Sequence, residues 1–453
     1  MSVAWNQPTT VPPAAFYEGI RQAMAVVRRS RSAVEGFEPE FALPDLTPEL
    51  TEFFSVAELR FAELGAAGPA RLVLLDLMAN PGTRTVKTLA SLVIVARALR
   101  HIDRTGERVT ILTPSSANKA TALRDAVLRA YRYGLARPAD LQIVTLVPDA
   151  ARPKLWASTL SDDAWLAARN PMCVLDPEQP SHVKEIAKQA LRNSAQELFR
   201  TSGVRLWHTL DLANYQVADT ARAFAEHATA PLRPGVTRAH AHSVSSAFGL
   251  LGHHFGTTLL PDVTETSQYF LVQHLATPDM VLSLHGMTPP DYRADPGTGL
   301  FHQETTPRYP RTTFDPAENL ETTFYTRSPA TSPAMNELIR RQGGGGIVVS
   351  LNECLGRYAE VRALLGNAGV TLPADPRVLR EWSLVMAMTG VLNAIDRGLL
   401  DADEVIVHGS GSYSATDYRP LPDHAVRTVA DAADLSAVIA EAVRPVSSIT
   451  KAA

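Results

Sequence analysis

The segment RLVLLDLMANPGTRTVKTLASLVIVARAL, residues 71–99, decides the fold that this sequence predicts. Its first seven residues form an apolar run of strand length, and the Asn-Pro-Gly sequence at 80–82 ends that run. From Leu89 onward apolar residues recur at i, i+3 and i+4, which predicts a helix with Lys87 in its first turn. Because the helix dipole disfavours a cation at that end, Lys87 is either a solvated side chain or a functional amine.

The chain favours arginine over lysine, with six lysines among its 43 basic residues. The two side chains differ in chemistry, since a guanidinium stays protonated whereas an amine with a lowered pKa can attack a carbonyl carbon. A lysine at the start of this helix, in a chain with so few, therefore favours a functional amine over a solvated side chain.

The composition indicates a globular protein, with 453 residues and 45% hydrophobic content, enough core for two or three domains. The net charge of -4 gives no electrostatic reason to expect nucleic acid or an anionic membrane as partner. Two distant cysteines, Cys173 and Cys354, fit a reducing compartment. The N-terminus lacks the pattern of a signal peptide, and the apolar run 89–96 is too short to span a bilayer. We therefore expect a cytoplasmic protein.

Strands and helices are predicted to alternate along most of the chain. Strand-like runs lie at 71–77, 108–113, 141–147, 173–175, 204–208, 269–273, 347–351 and 404–408. Helical patterns lie at 15–28, 51–64, 86–99, 119–133, 180–200, 236–255, 280–285, 332–341, 355–365, 377–397 and 431–443. Strands alternating with helices of this length predict an α/β fold whose parallel sheet is covered on both faces.

The predicted domain organisation has three parts. Residues 1–70 form an N-terminal arm with helices, 71–150 a smaller α/β domain, and 151–453 a larger α/β domain. Within the larger domain, 287–320 is rich in Pro, Thr, Arg and Asp and predicts a long loop without regular structure. Such a loop is either a lid or a packed surface insertion.

Four strand-to-helix turns carry small or polar residues. Ligands of open α/β sheets bind beyond the carboxyl ends of the strands, so these turns are the predicted binding positions. They are 80–87, 115–118, 273–279 and 409–414. Each also has a structural explanation, because hydroxyl and small residues cap helices and glycine permits close approach of the backbone.

Taken together, these turns resemble the motifs of fold-type II pyridoxal-phosphate enzymes, and most closely those of threonine synthase. NPGTRTVKT at 80–88 is similar to the family's lysine motif N-P-T-G-S-F-K-D, and SSAN at 115–118 is similar to S-S-G-N. SGSY at 410–413 resembles the T-G-H-G motif. The resemblance runs from about 72 to 419 and implies two open, twisted, mostly parallel sheets with helices on both faces.

The resemblance implies pyridoxal 5'-phosphate as cofactor and a role for each motif residue. Lys87 would hold the cofactor covalently and move the Cα proton of the substrate. Asn118 would contact the cofactor's 3-hydroxyl, and Ser410 would meet its pyridine nitrogen. The cofactor phosphate is expected on the turn at His274, Ala276 and Thr277.

Substrate binding is expected at the second motif, in the smaller domain. The amides of Ser115, Ser116 and Ala117 would hold the substrate carboxylate, as the resemblance implies. Arg84 and Lys119 are not part of the family motifs. They are either candidates for binding an anionic substrate group or solvated loop cations.

Two other features are excluded from the predicted site. The glycine run 343–346 follows a helix and precedes a strand, so it is predicted to be a helix C-cap and turn rather than a phosphate site. His240, His242, His253 and His254 have no carboxylate spaced to complete a site, so no metal is expected.

The predicted activity is that of a pyridoxal-phosphate-dependent lyase or transferase acting on a small amino acid with a β or γ leaving group. A neutral Ser410 at the pyridine nitrogen would leave the ring unprotonated, which favours elimination or replacement over transamination. Thr88, where the family has Asp, is one of the departures that indicate a substrate of specialised metabolism. A homodimer is one expected assembly.

Two alternatives stay open. A non-catalytic descendant of the fold would serve as a binding or scaffold protein, and the missing Asp after Lys87 and the missing phosphate glycines favour it. A phosphate-binding α/β protein without the aldehyde cofactor is the second alternative, although it leaves Lys87 unexplained.

Overall fold

The computed structural model of the protein describes residues 8–31, 36–176, 182–209, 211–263, 265–324 and 326–444. The described strands are β1 Thr9–Val11, β2 Leu59–Ala67, β3 Ala70–Asp76, β4 Arg108–Pro114, β5 Leu141–Pro148, β6 Met172–Leu175, β7 Val204–His208, β8 Arg238–Ser243, β9 Gln268–His274, β10 Arg293–Ala294, β11 Phe301–His302, β12 Thr312–Thr313, β13 Gly344–Val349, β14 Leu379–Glu381, β15 Glu404–Gly409, β16 Tyr413–Ser414 and β17 Val426–Val429. The described α-helices are α1 Tyr17–Ser30, α2 Pro48–Ser55, α3 Lys87–Thr105, α4 Asn118–Arg132, α5 Thr159–Asp162, α6 Ala164–Arg169, α7 Val183–Ser202, α8 Ala213–Thr229, α9 Phe248–Thr258, α10 Asp279–His285, α11 Ser332–Gln342, α12 Leu351–Asn367, α13 Ser383–Asp396 and α14 Ala432–Ala442. Short 3-10 turns connect some of these elements.

The chain forms two compact units that are interleaved in sequence. The first unit comprises Met1–Ala23, Ser55–Ala90 and Tyr215–Asp417, and the second comprises Met24–Phe54, Ser91–Asn214 and Tyr418–Ala453. A segment that packs compactly does not necessarily fold as an independent domain. The domain boundaries near 70 and 150 therefore stay a prediction.

The first unit is built on a sheet whose described strands number seven, in the order β1-β2-β3-β15-β8-β9-β13. The five strands from β3 to β13 run parallel, while β1 and β2 pair antiparallel at the edge. Neighbouring residues of β9 enter different cores: Phe270 packs with α12 and α13, whereas Leu271 packs with α10 and α11. Helices therefore cover both faces of this sheet.

The second unit contains a smaller sheet, whose described strands are five parallel ones in the order β17-β6-β5-β4-β7. Leu146 of β5 packs in a core with α7 and α14, and its neighbour Val147 packs in a separate core beside α4. This sheet is thus also covered on both faces. The predicted α/β fold with two mostly parallel, helix-covered sheets is confirmed.

Two predicted helices are wrong. The segment 236–255 forms strand β8 and then helix α9, and 51–64 forms the end of α2 and most of β2. The Ala-His alternation of β8 lacks the usual strand formers, yet the strand is fully buried between β15 and β9. Strand pairing overrides the local pattern in both cases: β8 lies between two strands distant in sequence, and β2 pairs with β3, which follows it directly in the chain.

Other boundaries differ by a few residues. The helix predicted at 377–397 begins at Ser383, after the short strand β14. The glycine run 343–346 does follow a helix and lead into a strand, although the strand already begins at Gly344. The start predicted at 180 for the helix now seen as α7 lies outside the described residues.

The segment 287–320 is more ordered than expected, since β10, β11 and β12 form a small antiparallel sheet in it. The carbonyl of Arg308 accepts the amide of Val348, so the segment lies along the edge strand β13. The Gln303 side chain is buried and donates to three backbone carbonyls of the segment. These contacts are those of a packed insertion, and the lid alternative stays a prediction.

Within the described ranges, no helix is both long enough and apolar enough to cross a membrane.

Candidate functional site

Lys87 is the first residue of α3, at the end of the turn that follows the interior strand β3. Side chains hold this turn in shape. The Asn80 carboxamide oxygen accepts the amide of Gly82 at 2.9 Å, and the hydroxyls of Thr83 and Thr88 lie 2.7 Å apart. Thr88, which stands where the resembling family has Asp, also donates to the carbonyl of Thr85. Thr88 thus provides a buried polar side chain where the family has Asp, and its hydrogen bonds stabilise the turn.

The residues before Lys87 pair with the loop that follows β15. The Val86 amide donates to the carbonyl of Ser410 at 2.8 Å, and the amide of Ser412 donates to the carbonyl of Arg84 at 3.3 Å. Between them, Thr85 and Gly411 form an antiparallel bridge. The structure therefore brings two of the predicted motifs together, because β3 and β15 are neighbouring parallel strands.

The Lys87 amine lies in an apolar and partly charged environment. Its nitrogen is 5.5 Å from the centre of the Tyr215 ring. Burial is the largest influence and lowers the pKa of this amine below its ordinary value; Asp219 and Glu381 oppose the shift, and Arg222 adds to it. A lowered pKa raises the fraction of neutral amine, the form that attacks a carbonyl carbon. None of these four neighbours of Lys87 was predicted from the sequence.

Two buried polar atoms near Lys87 are without a hydrogen-bond partner among the described residues. They are the hydroxyl of Thr85 and Nε2 of His242. His242 interacts electrostatically with Lys87, and its other ring nitrogen lies 2.5 Å from the carbonyl of Ser243. Buried polar atoms are almost always bonded in native proteins. Unpaired atoms beside the Lys87 amine are therefore consistent with a position for a polar ligand.

Ser410 is nearly buried and lies beside the end of β8. Its hydroxyl is 3.2 Å from the hydroxyl of Ser243, the last residue of that strand. The next turn, 244–247, leads directly into α9, and Ala247 has a positive φ of 51° there. This strand-turn-helix unit has the order that a phosphate site requires. This unit was not predicted from the sequence because β8 was predicted as part of a helix.

Among the predicted phosphate residues, His274 ends β9, and Ala276 and Thr277 follow that strand, which lies one strand further from β3 than β8 does. Burial lowers the pKa of His274 to about 4, so its ring is neutral at pH 7, and Nε2 is 3.1 Å from the Thr277 hydroxyl. The side-chain oxygen of Gln273 accepts the amides of Met280 and Val281 at 3.0 Å each. These two amides, which would face an anion bound at the N-terminus of α10, thus already donate to a side chain of the protein.

The second motif, Ser115 to Asn118, belongs to the second unit, where it connects β4 and α4. The Ser115 hydroxyl accepts the amides of Ala117 and Ala120, which caps the helix. Ala117 has a φ of 99°, a conformation that favours glycine. The motif that this segment resembles has glycine at this position, the residue type that such a φ favours.

The two cations outside the family motifs already have protein partners. Arg84 lies 3.2 Å from the carboxylate of Asp417, with about two fifths of its side chain exposed (42%). The Lys119 amine donates to the carbonyl of Thr209 at 2.5 Å. Asn118 is the first residue of α4. A role for any of them in substrate or cofactor binding stays a prediction.

The histidines differ from the expectation that no carboxylate accompanies them. Glu226 of α8 lies with His240 of β8 and His253 of α9, and their ligand-type atoms all fall within 4.8 Å of one another. All three residues are buried. Glu226 was not considered together with the histidines because no helix was predicted at the position of α8.

Solved structures share this fold. The PLP-bound threonine synthase from Brucella melitensis is 13% identical to this chain with a TM-score of 0.51, and the match covers 96% of this chain and 85% of that one. A hydrogen sulfide-producing enzyme from Fusobacterium nucleatum is 11% identical with a TM-score of 0.48, covering 83% of this chain and 100% of that one. The match to the threonine synthase structure confirms the predicted fold-type II architecture.

The sequence itself was compared with curated proteins and with family models. No curated protein matches it. Residues 11–443 match the model of a family described as a family of unknown function, DUF6002. The chain belongs to that family.

Proposed function

We propose that this member of the DUF6002 family is an enzyme that uses pyridoxal 5'-phosphate to act on an amino acid. The observation that carries the proposal is the Lys87 amine, which lies in the first turn of α3 with a lowered pKa. Next to it are the unpaired polar atoms of Thr85 and His242. The predicted cofactor of the resembling family has an aldehyde that reacts with such an amine and polar groups that need partners.

The residues of the first unit fit the cofactor in three respects. Lys87 would hold it, and in its neutral form would accept the Cα proton of the substrate and return it to the product. Ser410 would offer an uncharged hydroxyl to the ring nitrogen. The backbone bonds between Arg84 to Val86 and Ser410 to Ser412 would keep lysine and hydroxyl in a fixed relation. The cofactor would supply an electron sink for the bonds broken at Cα.

The cofactor phosphate has two candidate turns. The turn 274–277 was predicted from the sequence, but Gln273 takes two of its helix amides. The turn 244–247 adjoins Ser410 through Ser243 and leads into α9, which has 11 residues. Its position one strand nearer to Lys87 favours it. We place the phosphate at 244–247, and His274, Ala276 and Thr277 become the alternative.

The proposed reaction is elimination or replacement at the β or γ carbon of the substrate. An uncharged Ser410 partner would leave the ring nitrogen unprotonated, which would limit delocalisation of charge into the ring and disfavour transamination. The predicted carboxylate segment 115–117 and the cations Arg84 and Lys119 are the proposed determinants of substrate choice. Specialised metabolism is the proposed setting, because these positions depart from the housekeeping motif.

The visible absorbance spectrum tests the proposal. Purified protein mixed with pyridoxal phosphate is expected to show a band above 400 nm that borohydride bleaches, at roughly one cofactor per chain, as expected of a lysine-bound aldehyde. Lys87→Ala should lack the band, and Lys119→Ala, a matched loss of one lysine, should keep it. Wild-type protein without any such band would contradict the proposal.

A non-catalytic binding protein is the alternative function, and one observation favours it. Side chains of the protein already satisfy amides in two of the predicted ligand turns, through Ser115 and Gln273. A protein that binds pyridoxal phosphate at Lys87 but forms no product from any β- or γ-substituted amino acid would support this alternative. Release of ammonia or of a leaving group would exclude it.

A further inference from the structure

Two buried hydroxyls face each other where strands β8 and β15 end. Ser243 is the last residue of β8, and Ser410 follows Gly409, the last residue of β15. The strands pair in parallel up to His242 and His408, so both serines lie just beyond this pair, at the carboxyl end of the sheet. Their hydroxyl oxygens are 3.2 Å apart, and either hydroxyl can donate to the other. The direction of this hydrogen bond determines what Ser410 can offer to a ligand.

The backbone holds both serines in place. Ser243 is in register with Val272 of β9, and the next amide, that of Val244, donates to the Val272 carbonyl at 2.9 Å. On the other side, the Ser410 carbonyl accepts the amide of Val86 at 2.8 Å. A shift of either backbone would break these bonds, so rotation of the two hydroxyls is the main freedom that remains.

The surroundings of the Ser243 hydroxyl determine the direction of the bond. Ser243 is 1% exposed, and Ser410 is the hydrogen-bond partner of its hydroxyl among the described residues. A buried hydroxyl hydrogen is costly unless it has an acceptor. If Ser410 donated to Ser243, the hydrogen of Ser243 would have no acceptor among these residues. The opposite direction, in which Ser243 donates to the Ser410 oxygen, satisfies it.

This direction leaves the hydrogen of Ser410 for another partner, because a hydroxyl can accept one hydrogen bond and donate a second. Ser410 is 7% exposed, so the small accessible area of the pair belongs mostly to it. Its carbonyl is bonded to Val86, the residue before Lys87. The pair therefore offers a hydrogen-bond donor at Ser410, beside the turn of Lys87.

The position of Ser243 in its strand supports a specific role for the hydroxyl. Side chains alternate between the two faces of a strand, so Ala239, Ala241 and Ser243 lie on one face. The two alanines pack in the core beside α12 and α13. A third alanine would continue this apolar row, whereas the serine adds a hydroxyl whose partner is Ser410. Ser243→Ala is thus a mild change that gives this position the side chain of its two neighbours.

We propose that Ser243 is a positioning residue that donates to the Ser410 oxygen and so directs the Ser410 hydrogen toward the ring nitrogen of the bound cofactor. The inference rests on the proposed function, which places pyridoxal phosphate at Lys87. A pyridine nitrogen has one lone pair, so a nitrogen that accepts this hydrogen carries no proton of its own. Hydrogen bonds to the ring nitrogen are one of the means by which a protein tunes this cofactor. Ser243 thereby sets the protonation state that the proposed reaction needs.

Urea unfolding of the cofactor-free protein tests the serine pair itself. The wild type, Ser243→Ala, Ser410→Ala and the double variant form a cycle that isolates the interaction between the two hydroxyls. Each single change breaks the same hydrogen bond. The increase in the unfolding constant of the double variant is therefore expected to be about threefold to tenfold smaller than the product of the two single increases. An increase equal to that product would overturn the proposal.

Nitrogen NMR of bound pyridoxal phosphate, labelled at its ring nitrogen, tests the direction of the bond. The wild type is expected to show an unprotonated nitrogen that accepts a hydrogen bond, and in Ser243→Ala the resonance should shift toward that of a free pyridine. Ser243→Thr, which keeps the hydroxyl, should retain the wild-type signal. Ser194→Ala removes a buried serine of α7 and should also retain it. A protonated ring nitrogen in the wild type, or an unshifted resonance in Ser243→Ala, would overturn the proposal.

An analogue of pyridoxal phosphate with CH in place of the ring nitrogen provides a second readout. The wild type is expected to bind pyridoxal phosphate about threefold or more tightly than this analogue, because the analogue lacks the acceptor. The ratio of the two affinities should fall in Ser243→Ala and approach unity in Ser410→Ala.

The outcomes separate this inference from the proposed function. A ratio that stays the same in Ser243→Ala, while pyridoxal phosphate still binds, would overturn the role of Ser243 and leave the proposed function intact. A wild-type protein that binds neither ligand would contradict the proposed function, and the role of Ser243 toward the ring nitrogen would fall with it.

Discussion

The backbone amide of Val86 donates to the carbonyl of Ser410 at 2.8 Å, across more than three hundred residues of sequence. The bond joins the turn of Lys87 to the loop of the proposed ring-nitrogen partner. It depends on β3 and β15 being adjacent parallel strands, so the two turns leave the sheet side by side. The relation between the proposed catalytic amine and Ser410 is therefore fixed by the sheet itself.

Gly411→Ala is expected to disturb this relation. A Cβ at Gly411 would lie 2.8 Å from Cγ of the buried Glu381, so the loop or the carboxylate must move. Overpacking of this kind costs about 1–3 kcal/mol, and we expect a matching loss of unfolding free energy in urea together with weaker cofactor binding. Gly356→Ala, on an exposed helix position with open space, is the control and should weaken neither. Unchanged cofactor affinity in Gly411→Ala would contradict the proposed contact.

The phosphate position is tested by adding one negative charge to each candidate turn. Ser246 and Ala276 are both partly exposed and lie at similar places in the turns after β8 and β9. Ser246→Asp is expected to weaken pyridoxal-phosphate binding about tenfold or more by repulsion, which corresponds to roughly 1.4 kcal/mol. Ala276→Asp should change it less than twofold.

Pyridoxal without the phosphate is the control ligand for this pair. Its binding should be equal in both variants, because repulsion of the phosphate is then absent. The opposite ranking for pyridoxal phosphate would return the phosphate to His274, Ala276 and Thr277.

Ala117→Gly is expected to stabilise the protein by about 1 kcal/mol. Ala117 holds a φ of 99°, where a Cβ atom is strained and glycine is not. Ala122→Gly, in the interior of the same helix, should instead destabilise by a similar amount. Urea unfolding of both variants measures the difference. Destabilisation by Ala117→Gly would show that the strain at this turn is absent.

Acid should destabilise the protein between pH 6.5 and about 4. Burial lowers the pKa of His253 and of His274 to about 4. The unfolded chain protonates these rings near pH 6.5, so it binds more protons than the folded chain in this window, and the free energy of unfolding falls as the pH falls. Glu226, whose pKa is lowered in the folded state, adds a further loss below pH 4.5.

Urea titrations at pH 7 and pH 4.5 measure this slope. Each fully buried histidine contributes up to about 1.4 kcal/mol per pH unit. His274→Gln should therefore flatten the slope, and the exposed His424→Gln should not change it. Stability that is constant from pH 6.5 to 4.5 would contradict the buried, neutral histidines.

Much of the fold was predictable because its strands are short apolar runs followed by turns. The turn of Lys87 and the loop of Ser410 follow such runs, and knowledge of a parallel sheet is enough to place them at one edge. β8 was not predictable in this way. Its Ala and His residues become a strand only because β15 and β9 pair with both of its edges.

Because β8 was not predicted, the part of the candidate site that depends on it was not predicted either. Without β8, the turn 244–247 has no strand before it, and His240 has no neighbour in β15. Asp219 and Arg222 have the spacing of residues on one helix face. The sequence does not show, however, that Lys87 lies at one end of α8. Glu381 ends β14 and reaches the site through the contact of its side chain with Gly411, which no local pattern encodes.

Identification of the lysine that binds the cofactor tests the central claim most directly. The protein is mixed with pyridoxal phosphate, reduced with borohydride, digested, and the modified peptide is located by mass spectrometry. We predict that the pyridoxyl phosphate group is found on Lys87, at about one group per chain, and that it is absent from Lys87→Ala. Modification spread over Lys119, Lys184 and Lys188, or none at all, would contradict the account.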